Sequence, residues 1–72
     1  MRDYNLERIA NNIKKLRNKK NWKFSYVANK TNIEEKRLRQ IEKALIIPNH
    51  NEIYSLSRLY KITIDALVLE EL

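Results

Sequence analysis

Apolar side chains recur along the first third of the chain at three- and four-residue spacing: Leu6, Ile9, Ile13 and Leu16. That period predicts an amphipathic helix from about Asn5 to Lys19, with Lys14, Lys15, Lys19 and Lys20 on its outer side or end. Trp22 is expected to plug the turn that follows. Phe24, Tyr26, Val27 and Ala28 predict a short second helix over 24–30. It closes at Thr31-Asn32, where asparagine tolerates the left-handed backbone that a tight turn requires. Leu38, Ile41 and Leu45 then predict a third helix over 34–44, whose polar side carries Glu35, Lys36, Arg37, Arg39, Gln40 and Lys43. Pro48-Asn49 breaks the chain. Asn49 with Glu52 three residues on reads as a capping box opening a fourth helix, with Ile53, Leu56, Leu59 and Tyr60. Thr63 caps a fifth, which turns Ile64, Leu67 and Val68 inward, places Asp65 near its positive end and runs into a short acidic tail.

The chain has no glycine and one proline in 72 residues, so the punctuation that strands and hairpins need is missing. An all-α fold of five helices in a single domain, 1–72, is the expectation, with a small core and little room for a deep cleft. Cysteine is absent, which removes disulfides, thiolate nucleophiles and cysteine-bound zinc. No stretch approaches the roughly 20 apolar residues of a membrane span, and Met1-Arg2-Asp3-Tyr4-Asn5 lacks the apolar core of a signal peptide. A cytoplasmic protein with no membrane partner is expected. No metal-ligand cluster, phosphate loop or nucleophile–base pair is present, so neither an enzyme nor a cofactor is implied. His50, the sole histidine, reads as a solvated side chain, and Tyr4, Tyr26, Tyr54 and Tyr60 as residues of the core edge.

The net charge of +6 is unevenly placed. Residues 1–43 carry 13 Lys and Arg against 5 Asp and Glu, whereas residues 44–72 carry 2 against 4. A positive field over one part of a small domain suits a polyanion, although a lysine-rich helix is as often only a solvated face.

Ile13 and Leu16-Arg17, Val27-Ala28, Ile33, Leu38, Ile41-Glu42, Pro48, Ile53, Leu56, Ile62, Ile64-Asp65 and Leu67 form a connected pattern from Ile9 to Leu67. In it the chain resembles the Cro/repressor-type helix-turn-helix family, also called the XRE family. The resemblance implies a phage-repressor-like domain and a transcriptional regulator, in the first place a repressor, that binds double-stranded DNA. It makes the third helix the reader of the major groove, with Glu35, Lys36, Arg39 and Gln40 against base edges and Lys23, Arg37 and Lys43 on phosphates. The side-chain types suit this work: lysine and arginine donate to guanine, glutamine pairs with adenine and glutamate accepts from cytosine. The resemblance also implies a largely buried Arg17–Glu42 ion pair joining the first and third helices.

Departures from the family pattern fall on the DNA-facing side. Phe24 stands where glutamine often contacts a phosphate, and Lys23 and Glu34 stand where serine or threonine commonly caps. Ala44-Leu45-Ile46-Ile47 replaces a basic, glycine-containing loop. Leu45, Ile46 and Ile47 are either buried by a shifted loop or form a contact surface, for which a homodimer is favoured because two-fold sites are the rule in this family. The alternative is a degenerate helix-turn-helix module of antitoxin or anti-repressor type, binding a protein partner through Phe24 and this loop.

Overall fold

The computed structural model describes residues 5–72. Among them are five helices and no strand: α1 Leu6–Lys20, α2 Phe24–Thr31, α3 Glu35–Glu42, α4 His50–Tyr60 and α5 Ile64–Leu69. The protein is all-α. The place expected for Tyr4 lies outside the described residues.

Local chemistry sets the helix starts. Asn5, Asn49 and Thr63 each accept a hydrogen bond from the backbone N–H three residues on, and Glu52 returns the bond to the Asn49 N–H, completing the capping box. Lys23 and Glu34 make no such bond, so α2 and α3 begin without a side-chain cap. Before α3, Thr31 Oγ accepts from the Ile33 N–H at 3.3 Å instead.

The helix ends are less ordinary. Asn21, Asn32, Ala44 and Lys61 all sit at φ 57–60°, the left-handed region where glycine is the usual occupant, and the chain has none to offer. After α1, α3 and α4 the residue following the left-handed one donates five positions back in the Schellman pattern: Trp22 to Arg17, Leu45 to Gln40 and Ile62 to Ser57. Trp22 and Ile62 then pack against the core, as such closures usually require, but Leu45 is left 66% exposed. The left-handed Ala44 ends α3 at Glu42, two residues short of the 34–44 span read from periodicity, and Glu34 lies before it as the N-cap. The other boundaries differ from expectation by one residue, with Asn5 capping α1 and Thr31 completing α2.

One hydrophobic cluster draws on every helix: Ile9 and Ile13, Val27, Leu38 and Ile41, Ile53, Leu56 and Tyr60, Leu67 and Val68, with Ile33 from the turn before α3. α1 packs on α5 and α3, α2 on α3 and α4, and α4 on α5. Burial on this scale is worth about 1.5–3 kcal/mol per large aliphatic side chain, which lets helices of six to eight residues persist. Trp22 plugs the α1–α2 turn by lying over Tyr60 at 5.7 Å and against Tyr26 at 4.8 Å between ring centroids.

The buried polar groups are mostly satisfied. Asn12 donates to the carbonyls of Leu67 and Glu70, both at 2.7 Å, and accepts from the Leu72 N–H at 3.0 Å, tying the segment after α5 to α1. Ser57 donates to the Tyr54 carbonyl at 2.8 Å. The exception among the described residues is the Tyr60 hydroxyl, buried with no hydrogen-bond partner. Burial first, and the nearby Glu42 carboxylate second, push that phenol up to about 12 against a smaller opposing effect of Arg17.

Candidate nucleic-acid interface

α3 is held from behind and presents a cationic front. Leu38, Ile41 and Glu42 are buried. Lys36, Arg39, Gln40 and Lys43 recur at three- and four-residue steps and therefore share the opposite side. Lys36, Arg39 and Lys43 are exposed, with the Arg39 side chain at 51%, and Gln40 is half-buried. Glu35 lies one step round the helix and accepts from Arg39 Nη2 at 3.2 Å. This exposed i,i+4 pair is worth only about 0.3–0.5 kcal/mol, little enough for a nucleic acid to displace.

Two ion pairs fix the helix, one on its buried side and one on its flank. Arg17 Nε donates to Glu42 Oε2 at 2.6 Å and Nη2 to Oε1 at 3.0 Å, while Nη1 donates to the Trp22 carbonyl at 2.9 Å. The side chains are 16% and 4% exposed, so the pair joins α1 to α3 and to the turn after α1 in a nearly dry setting. The hydrogen bond to Glu42 chiefly, and its charge as well, raise the Arg17 pKa above its ordinary value against the opposing effect of burial.

The second pair was not read from the sequence. Arg37 donates through Nε to Glu52 Oε2 and through Nη2, at 2.9 Å, to Glu52 Oε1, which also accepts from the Asn49 N–H at 2.8 Å. One carboxylate thus closes the cap of α4 and clamps α4 to α3. Burial works to raise the Glu52 pKa. The hydrogen bonds from Arg37 and Asn49, with the Arg37 charge, outweigh it and hold the carboxyl below the usual range. Arg37, for which a phosphate contact is expected, is engaged edge-on by Glu52 of a neighbouring helix with its side chain still 40% exposed, a fork geometry that also positions α3.

Phe24, at the first position of α2, is half-buried beside this surface. Two guanidiniums lie over its ring, Arg17 at 4.1 Å and Arg39 at 5.1 Å from the centroid. Lys14, Arg17, Phe24, Arg39, Glu42 and Lys43 line a shallow depression of about 330 Å³ where α1, the start of α2 and the end of α3 meet. Lys23 stands exposed at the N-cap of α2, where no acidic side chain occupies the first turn. Tyr26 faces outward, with Lys30 Nζ 5.6 Å from its ring centroid.

The loop after α3 divides between the two placements expected of it, burial and outward display. Ile46 is partly buried and packs against the core, and Pro48 is buried, so of the three residues expected to be either buried or in a contact Ile46 turns inward. Leu45 and Ile47 remain outward, the latter at 53% exposure. His50 is exposed at the first position of α4. Among the described residues no group of three or more His, Cys, Asp or Glu side chains is placed to hold a metal ion, and no helix is long and apolar enough to cross a membrane. The chain matches no family model, no curated protein and no solved structure.

Proposed function

We propose that this chain is a sequence-specific DNA-binding regulator of the Cro/repressor-like (XRE) helix-turn-helix type, a cytoplasmic repressor that reads the major groove with α3. The observation that carries the reading is the α2–turn–α3 unit. Two eight-residue helices are joined through Asn32, Ile33 and Glu34, and the second is locked by two ion pairs while Lys36, Arg39, Gln40 and Lys43 face out together. In this reading Lys36, Arg39, Gln40 and Glu35 address base edges. Lys43 and Lys23 take phosphates on either side, and Lys14 with the other α1 lysines supplies the surrounding field.

A single module of this size buries little DNA, so the working form is a homodimer on a two-fold site. Fluorescence anisotropy of a labelled random-sequence duplex against salt tests the proposal. If a dimer neutralises about six phosphates, the log–log slope is roughly −5. Lys36→Glu and Arg39→Glu abolish binding while leaving the helical spectrum intact, the second with a melting temperature a few degrees lower because its pair with Glu35 becomes a repulsion. A complex insensitive to salt, or reversals without effect, contradicts the reading.

A second reading has its own observation. Leu45 and Ile47 are large, apolar and exposed, and Leu45 does not make the inward contact that Trp22 and Ile62 make at the equivalent place after α1 and α4. Those two side chains suit a protein partner, either alongside DNA or in place of it.

A further inference from the structure

We propose that Phe24 is a positioning residue for Arg39, and through it a determinant of base specificity. This rests on α3 being the DNA reader and adds to that reading a role for a side chain on α2.

A free arginine is a poor reader because its several rotatable bonds must be frozen when it forks onto a base edge. Here the freezing is partly done in advance. Glu42 and the Trp22 carbonyl hold Arg17 at three points. Arg17 lies over the Phe24 ring at 4.1 Å, which sets the ring against a fixed cation, and Arg39 lies over the same ring at 5.1 Å. A guanidinium over an aromatic ring keeps its N–H donors at the rim of the plane, free for a second partner, and that partner in the absence of DNA is Glu35 at 3.2 Å. Exchange of the Glu35 carboxylate for guanine O6 and N7 leaves the stack in place. The line from Glu42 through Arg17 and Phe24 to Arg39 therefore links the buried ion pair to an exposed reader. A glutamine or serine at position 24 offers no ring for the stack.

The test uses the sequence that the wild-type chain enriches from a random duplex pool, and the base pair at which Arg39→Ala becomes indifferent. Affinities for that site and for its single-pair variants give the discrimination at this position. Phe24→Leu, which keeps an apolar side chain without a ring, lowers that discrimination roughly two- to fivefold, the range for an exposed cation–π contact. Binding to an unrelated duplex does not change. Phe24→Tyr restores discrimination, and Phe24→Leu adds nothing once Arg39 is alanine. In the DNA-free protein, the Arg39 Hδ and Hε resonances lose their ring-current shift in Phe24→Leu.

If Phe24→Leu does not fold, pentafluorophenylalanine at position 24 keeps the shape and reverses the ring's electrostatics, with the same loss expected. Unchanged discrimination with either replacement, while Arg39→Ala is impaired, overturns the proposal and leaves the DNA reading standing. A wild-type chain that enriches no sequence overturns both.

Discussion

Removing one member of the Arg17–Glu42 pair is the perturbation on which the geometry bears most strongly. In Glu42→Ala the guanidinium of Arg17, 16% exposed, loses two hydrogen bonds and its counter-charge and keeps only the Trp22 carbonyl. Breaking a buried pair from one side costs about 3–5 kcal/mol, and the residual exposure of Arg17 argues for the lower end, about 3 kcal/mol. A chain of this length has only about 4–11 kcal/mol to lose. At roughly 4–8 °C per kcal/mol, the melting temperature falls by about 12–24 °C. The double replacement Arg17→Met with Glu42→Leu removes both charges and fills the space, and it recovers most of the loss because the desolvation penalty goes with the pair. Thermal melts followed by circular dichroism, with urea titrations of the wild type, Arg17→Met, Glu42→Leu and the double variant, close the cycle, with Glu42→Ala measured beside it. A Glu42→Ala loss below about 1 kcal/mol would place the pair among surface contacts and refute the argument that it anchors α3.

Three further outcomes follow from other sites. Tyr60→Phe removes a buried hydroxyl without a partner and keeps the ring over Trp22, so it stabilises by about 1 kcal/mol. The wild type also loses stability as pH rises from 10 towards 12, because the unfolded phenol ionises first, and urea titrations of the variant across that range show the loss reduced. Ala44→Gly relieves a left-handed alanine at the end of α3 and raises stability by about 0.5–1 kcal/mol in chemical denaturation. Glu52 has a lowered pKa, so its contribution is present above the unfolded carboxylate value near 4.5 and is lost as pH falls through the folded value. Acid titration followed by circular dichroism detects this as an unfolding slope that flattens in Glu52→Gln.

The periodic apolar positions made the five helices legible, and the caps at Asn49 and Thr63 were readable because an oxygen-bearing side chain stands three residues before a free backbone donor, whereas Asn5, read as the first helical residue, turned out to be a cap as well. The Arg17–Glu42 pair was accessible through the family resemblance. Three features were not legible, each for a physical reason. The clamp of Arg37 by Glu52 joins residues 15 apart through a carboxylate whose local pattern is fully explained by capping, so nothing in the sequence marks its second partner. The early end of α3 depends on an alanine in a conformation it adopts only where tertiary packing imposes it, and periodicity continued through Leu45. The bonds from Asn12 to the segment after α5 span 55 to 60 residues, and an asparagine in an asparagine-rich helix looks like surface until its neighbours are known.

The two ion pairs bear on function together, since Arg17–Glu42 and Arg37–Glu52 both fix α3 while Lys36, Arg39 and Lys43 stay exposed. That arrangement suits a rigid reader in a groove. Leu45 and Ile47 stand exposed in the loop after this helix.

Selection of bound sequences from a random duplex pool at moderate salt, run in parallel with wild type and Lys36→Glu, addresses α3 as a DNA reader most directly. The expected result is an enriched, two-fold symmetric sequence with the wild type and its loss with the variant, at equal helical content. A folded wild-type chain that enriches nothing, or a variant that enriches the same sequence, contradicts the assignment of α3 to the major groove.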